Sequence, residues 1–332
     1  MSSILKMGII GYGWVARDYM YPALQKNPRV QLVAACAQHA SEMKNLPQTV
    51  KKYTEIDEFL KHSALDAVYV ATPNHLHAAH TIASIEAGLH VLCEKPLATS
   101  LADAEAMIFS AQSAKTVYAT AYDQRFHPAH EQVYEQIQQG KLGQITQVKI
   151  DYACWLPKNW SVDNWRIDQE RAGGGAIIDL APHGLDLLET LLDDTIVEIK
   201  IFEQNVVQDY KVDDGGVLML RFASGVLGSM HVGYNRPDTL PRRTLEIFGT
   251  AGMLRATNTM GQDPGGNLTF IDSATGTQKP IAFDMEKSPF EAQLNGFVNS
   301  ILVKKIPSRS PEDDLRLFTL LFNALKRETQ WH

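Results

Sequence analysis

The sequence predicts an α/β chain in two parts. A parallel sheet covered by helices comes first, then an antiparallel sheet with one face on a core and helices of its own. Three observations predict this. Short continuous apolar runs alternate with amphipathic segments as far as residue 121. A glycine-rich turn separates the first run from the first helical segment. After residue 123 the pattern changes to long alternating strands broken by Gly and Asp-Gly-Gly turns. Continuous apolar strands indicate a sheet buried on both faces, and alternation indicates a sheet with one face on a core.

Taken in order, residues 4–10 read as a strand, 15–26 as a helix and 31–36 as a second strand. Residues 54–61 form a short helix, 67–71 a third strand, and 76–87 a helix ended by Gly88. A fourth strand covers 90–93, a helix 100–114, and a fifth strand 117–121. Right-handed crossovers place the C-terminal ends of these strands along one edge, where ligands bind. The second part holds a bridging helix at 128–139, a strand at 144–153 and a helix at 180–192. From 196 to 270 come alternating strands, among them 217–222, 226–234, 245–248 and 253–256. Helices at 290–302 and 311–327 close the chain. The second has Ser310 as N-cap and Pro311 at its first position. The expected domains are 1–122 and 123–332, with the C-terminal helix able to pack back on the first.

Length and composition fit this plan. The chain has 332 residues, 45% hydrophobic and 21% charged, enough for two globular domains with real cores. A net charge of -7 with mixed signs argues against a nucleic-acid binder, though it allows a small basic pocket for phosphates. Cys36, Cys93 and Cys154 are odd in number and widely spaced, which fits neither a metal site nor a disulfide framework. Cys36 and Cys93 end apolar runs and read as buried free thiols. No signal peptide and no membrane-length apolar stretch is read, and a reducing cytoplasm is the expected compartment.

The segment Gly11-Tyr12-Gly13-Trp14-Val15-Ala16 follows the first strand and opens the first helix. Gly11 allows the tight turn, Gly13 lets the backbone approach a pyrophosphate, and Ala16 permits close helix–strand packing. Phosphates would sit on the amides at the helix start. A nicotinamide dinucleotide is the expected cofactor, on a Rossmann fold. The second strand ends in Cys36, Ala37, Gln38 and His39, with no carboxylate for the ribose hydroxyls. That removes repulsion against a 2′-phosphate, and Gln38, His39 or Lys44 is placed to contact one. NADP(H) is favoured over NAD(H), with tolerance of either as the alternative.

Several ordered motifs resemble the Gfo/Idh/MocA oxidoreductases, the glucose–fructose oxidoreductase and inositol dehydrogenase group. They are GYGWVA at 11–16, ATPNHLH at 71–77, AGLHVLCEKPLA at 87–98, GGGAIIDLAPHGLD at 173–186 and EIFGTAGML at 246–254. The resemblance covers nearly the whole length. It implies that Lys95 of Glu-Lys-Pro is catalytic and that Asp179 and His183 complete the site. It also implies a Rossmann domain followed by an α/β domain with a large, mostly antiparallel open sheet, and a homodimer or homotetramer formed through that C-terminal sheet. The sequence departs at Ala181 and Pro182, where a Gly and a variable residue are more usual, which implies a shifted helix start.

The residues themselves support the same chemistry. Lys95 follows the fourth strand, at the ligand edge, and Pro96 fixes the chain after it through a bond that is a candidate for cis. A lysine partly desolvated beside a positive ring would have a lowered pKa, suited to proton transfer. Asp179 and His183, four apart, can face one way and bind a substrate hydroxyl. Asp186 either orients His183 or caps and solvates the helix. Thr72, Pro73, Asn74 and His77, with Glu94, Lys95 and Pro96, are expected around the cofactor. His75 and His77 lack a third ligand, so no metal is expected. Arg125, Trp165 and Arg166 are the expected substrate contacts, by forked hydrogen bonds and aromatic stacking. Trp155 and Trp160 divide evenly between stacking and plain packing. The expected activity is hydride transfer between the cofactor and a sugar, polyol or related hydroxy or carbonyl compound. The competing readings are a non-catalytic cofactor-binding sensor and a reductase of a dihydrodiol or linear tetrapyrrole.

Overall fold

The computed structural model describes residues 4–156, 164–304 and 309–328. Its first sheet has six parallel strands: β1 (Leu5–Ile10), β2 (Val30–Cys36), β3 (Lys51–Tyr53), β4 (Ala67–Val70), β5 (His90–Glu94) and β6 (Tyr118–Ala121). Their order is 3-2-1-4-5-6, the doubly wound Rossmann arrangement. All four residues of β4 are buried, as a central strand covered on both faces requires. Four helices lie among these strands: α1 (Tyr21–Lys26), α2 (Ile56–Leu60), α3 (His77–Glu86) and α4 (Leu101–Ser113). A π-helical turn, Ala16–Met20, leads into α1. Helix α4 starts where Ser100 accepts a hydrogen bond from the Asp103 amide, a side-chain cap.

Strand β3 has no counterpart in the sequence reading. It is three residues long and carries two exposed lysines. It pairs with Ala34–Cys36 at the sheet edge, too short for a period to show. Lysines suit an edge strand because they discourage pairing with another chain.

The second sheet has eight strands in the order β14-β13-β12-β11-β7-β10-β9-β8. They are β7 (Ile145–Ala153), β8 (Ile196–Gln204), β9 (Gly215–Phe222), β10 (Leu227–Gly233), β11 (Arg243–Gly249), β12 (Gly252–Thr257), β13 (Asn267–Asp272) and β14 (Gln278–Pro280). Every pair is antiparallel except β7 with β10. Helices α5 (Pro128–Gln138), α6 (Gln169–Ala172) and α7 (Ala176–Leu192) belong to the same part. Strand β9 alternates cleanly, with Leu218 and Leu220 buried and Val217 and Met219 exposed. The buried side packs on α7, whose Ile177, Ala181, Leu185 and Leu188 join Ile150, Leu218 and Met230 in one core. Each such buried aliphatic side chain contributes about 1.5–3 kcal/mol.

Helix α7 starts at Ala176, four residues before the predicted 180. The cause is a contact distant in sequence. Asp213 accepts hydrogen bonds from the Gly175 amide at 2.6 Å and the Ile177 amide at 2.8 Å. That places a carboxylate on the helix N-terminus. A Cβ on Gly175 would lie 2.0 Å from the Asp213 carbonyl oxygen, so only glycine fits. Burial pushes the Asp213 pKa up to about 6 against those two amides. Pro182 then falls inside the helix and is fully buried.

Two helices close the chain, α8 (Pro289–Leu302) and α9 (Pro311–Glu328). The chain divides into two units: Met1–Tyr122 with Phe290–Arg316, and Asp123–Pro289 with Leu317–His332. Phe290, Leu294, Phe297 and Val298 of α8 join the core of the first unit. At α9, Ser310 accepts from the Asp313 amide at 3.2 Å. Among the described residues no helix is long and apolar enough to cross a membrane.

Candidate active site

In the first unit, the turn after β1 has the geometry that a dinucleotide needs. Gly11 has φ +88°, and an added Cβ would lie 2.5 Å from the Ala71 carbonyl oxygen. Both the left-handed backbone and the close approach of the loop after β4 demand glycine. Gly13 differs. A Cβ there would meet no atom within 4 Å. The protein itself makes no demand for glycine at 13, and the open space is what a pyrophosphate requires. The helical turn starts here, since the Arg17 amide donates to the Gly13 carbonyl at 2.9 Å. First-turn amides of a helix have no intrahelical acceptor and are available to an anion. Tyr12 and Ala16 are buried beneath the turn, Val15 is half-buried and Trp14 is exposed. The residues present therefore fit a dinucleotide phosphate. We expect Gly13→Val to leave the melting temperature unchanged while weakening cofactor affinity at least about tenfold, one lost hydrogen bond's worth or more. Fluorescence titration with reduced cofactor checks it.

The strand ends beside this turn carry the other expected residues. After β2, Ala37 is buried, and Gln38 and His39 are exposed. After β4, Thr72 and Pro73 are half-buried and Asn74 is buried. Glu94 ends β5 and accepts a hydrogen bond from the Tyr69 hydroxyl. Lys95 follows at once, half-buried, with a cis bond to Pro96. His77 is 1% exposed, its ring nitrogens 2.8 Å from the Pro96 carbonyl and 2.9 Å from the Thr72 carbonyl. Burial first, and then the nearby Lys95 charge, push its pKa down to about 4 despite those carbonyls. The ring thus lies between the backbones of the two loops that carry Thr72 and Pro96. Cys36 and Cys93 are free and buried. Burial raises their thiols to about 11 and about 12.

In the second unit, the polar chemistry lies along α7. Asp179, His183 and Asp186 stand at i, i+4 and i+7, one stripe of a largely apolar, buried helix whose other polar residues, Glu189 and Thr190, lie in its last turn. Each meets a different partner. Asp179 accepts from the Tyr234 hydroxyl at 2.7 Å. His183 Nδ1 lies 3.0 Å from Asp123 Oδ1. Asp186 takes two hydrogen bonds from Arg125, at 2.6 and 2.5 Å. Asp123 and Arg125 share one 3₁₀ turn, Asp123–Phe126, which faces the stripe. Tyr152 packs edge-on against the His183 ring at 5.8 Å. Burial raises the Tyr152 and Tyr234 hydroxyls, and nearby carboxylates add to it.

Several assignments change with this geometry. The carboxylate beside His183 is Asp123, which the sequence reading did not single out and which approaches Nδ1 without hydrogen-bond geometry, and Asp186 is bound by Arg125. The guanidinium fork of Arg125, expected on a substrate, grips Asp186, with side chains 10% and 0% exposed. Trp165 and Arg166 are half-buried, and the Arg166 guanidinium sits over the Trp165 ring at 4.4 Å. Trp155 is exposed and its backbone bridges to Asn235. Trp160 lies outside the described residues. No local pattern marks Asp123, because His183 is 60 residues away. Tyr234 and Asp213 read as a strand end and a turn.

Comparison with known proteins gives the same picture. Residues 5–122 match the family model described as an oxidoreductase family with an NAD-binding Rossmann fold, and residues 130–255 match the GFO/IDH/MocA C-terminal domain. A 1,5-anhydro-D-fructose reductase from Ensifer adhaerens is 31% identical over 311 residues, 93% of this chain and 91% of that protein. A myo-inositol 2-dehydrogenase from Thermotoga maritima is 25% identical, over 86% of this chain and 84% of its own. The crystal structure of an aldose-aldose oxidoreductase from Caulobacter crescentus, complexed with glycerol, has the same fold. Its TM-score is 0.88 at 24% identity, with 99% of this chain and 98% of that chain covered. With both domain models matched in order and a relative at 31% identity along nearly the whole length, the chain belongs to the GFO/IDH/MocA family of oxidoreductases.

Proposed function

We propose that this enzyme transfers a hydride between a nicotinamide cofactor and a sugar, polyol or related hydroxy or carbonyl compound. One observation carries the reading. The glycine turn after β1 and Lys95 directly after β5 lie at the C-terminal ends of strands in one parallel sheet, with β4 between them. Two strand spacings separate them, about 10 Å. The bound nicotinamide supplies the redox step, and the protein supplies position and proton handling. Lys95 exchanges a proton with the substrate oxygen. Asp179 and His183 bind the substrate hydroxyls. Arg166 and Trp165 contact the sugar, and Arg125 holds Asp186. The relatives named above act on an anhydro sugar and on inositol, which supports the substrate class. The test is a panel of sugars, polyols and diols with both cofactors, followed by absorbance of the reduced nicotinamide. Turnover of a sugar or polyol supports the reading, and a response to none of them rejects it.

NADP(H) is the preferred cofactor in this proposal. The residues directly after β2 are Ala37 and the exposed Gln38 and His39, with no carboxylate at the expected ribose position, and exposed Glu42 and Lys44 lie beyond them. A self-association surface is proposed as well. Phe202 of β8, Val217 and Met219 of β9 and Leu227 of β10 are 66%, 41%, 58% and 49% exposed on one sheet face. An apolar patch of that kind marks an interface, and a homodimer or homotetramer would cover it. We expect Met219→Glu to shift sedimentation towards the monomer without loss of secondary structure.

A further inference from the structure

We infer that Tyr234 is a positioning residue that holds the Asp179 carboxyl group for the substrate, and that the adjacent Asp213 and Asp214 set the two ends of that contact. This rests on the assignment of Asp179 to the substrate. The Tyr234 hydroxyl donates to Asp179 Oδ2 at 2.7 Å. Asp179 is half-buried and Tyr234 is buried. Burial first, and then Asp179, raise the hydroxyl well above the ordinary tyrosine value, so it keeps its proton and remains a donor. A carboxyl group turns about its Cβ–Cγ bond, a broad and soft torsion. One hydrogen bond from a fixed partner restricts it.

Tyr234 is such a partner, because its backbone is tied on both sides. It follows directly after β10. Its amide donates to the Asp214 carbonyl at 2.8 Å. Its carbonyl accepts from the Leu156 amide at 3.1 Å and from Gln208 Nε2 at 3.0 Å. Gln208 Nε2 also donates to the Leu156 carbonyl at 2.8 Å, so one buried side chain clamps both strands of chain. Asp214, wholly buried, gathers the loop that presents Gln208. Its Oδ2 accepts from the amides of Val206, Val207 and Gln208 at 2.9, 2.5 and 3.0 Å. Its Oδ1 accepts from Asn235 Nδ2 at 3.1 Å, next to Tyr234. The preceding residue, Asp213, holds the first turn of α7 through Gly175 and Ile177. Asp179 closes that turn, since its amide donates to the Gly175 carbonyl at 3.1 Å. Two consecutive carboxylates thus fix the two elements between which the Tyr234–Asp179 hydrogen bond is made.

Tyr234→Phe removes the hydroxyl and keeps the ring, and two measurements on the intact protein test the inference with it. The first is crystallographic. The Asp179 carboxyl group should take one orientation in the wild type and more than one in Tyr234→Phe, while the α7 main chain superposes. The second is kinetic. Tyr234→Phe is expected to lower kcat/KM about tenfold, one lost hydrogen bond. In an Asp179→Ala background the same change should cost less than about twofold, because residues that act through one contact are not additive. A merely structural role would cost about tenfold in both backgrounds. The cofactor dissociation constant should not move. A single, unmoved Asp179 in the Tyr234→Phe crystal overturns the inference. So does unchanged kcat/KM in that variant, or an additive double variant. The crystal result does not depend on turnover. Failure of the substrate panel would thus leave it readable, and the two proposals can fail separately.

Discussion

Replacing Lys95 with alanine should cut turnover by about a hundredfold or more, the usual scale for loss of a positioned acid–base group. Cofactor affinity should stay within about threefold, because the proposed phosphate site is the Gly11–Gly13 turn and that turn contains no part of Lys95. Lys95→Arg sharpens the test. Arginine keeps the charge but does not give up its proton near neutral pH. If Lys95 acts by proton transfer, arginine restores little. If it acts only as a fixed positive charge, arginine restores most of the rate. Steady-state kinetics with reduced-cofactor titrations separate these outcomes, and unchanged turnover in Lys95→Ala rejects the catalytic role.

The second large effect falls on stability. Arg125 and Asp186 form a bidentate pair with Asp186 wholly buried. Removing one partner of such a pair leaves an uncompensated charge and costs about 3–5 kcal/mol. Arg125→Ala is expected to destabilise the protein by that amount in urea unfolding. The double variant Arg125→Met/Asp186→Leu removes both charges and should recover most of the loss, because two apolar groups of similar volume satisfy the site. A double variant as unstable as Arg125→Ala would show that packing, not the stranded carboxylate, is responsible. Arg125 also sits in the 3₁₀ turn that carries Asp123. The single variant should therefore lose activity beyond its unfolded fraction.

Local demands were legible in the sequence, and distant ones were not. Gly11 is dictated by a turn and a close approach that any such strand–helix junction makes, so its role shows in six residues. The cap at Ser310 is equally local. The start of α7 was misplaced because Pro182 suggests an early helical position, whereas the real start is fixed by Asp213, 38 residues beyond Gly175. Asp123 was missed for the same reason, since only folding brings it to His183. The sequence motif drew attention to Asp179 and His183, which the fold places on α7. It could not show that the neighbouring Asp186 is taken by Arg125. Strand β3 escaped because three residues with two exposed lysines carry no period.

The central claim is that a nicotinamide cofactor lies across the glycine turn with its reactive ring at Lys95. A crystal structure of the chain with bound NADP(H) tests it most directly. The account predicts the pyrophosphate over Gly13 and the Lys95 amine directed at the nicotinamide. An amine turned into solvent, away from that ring, would contradict it.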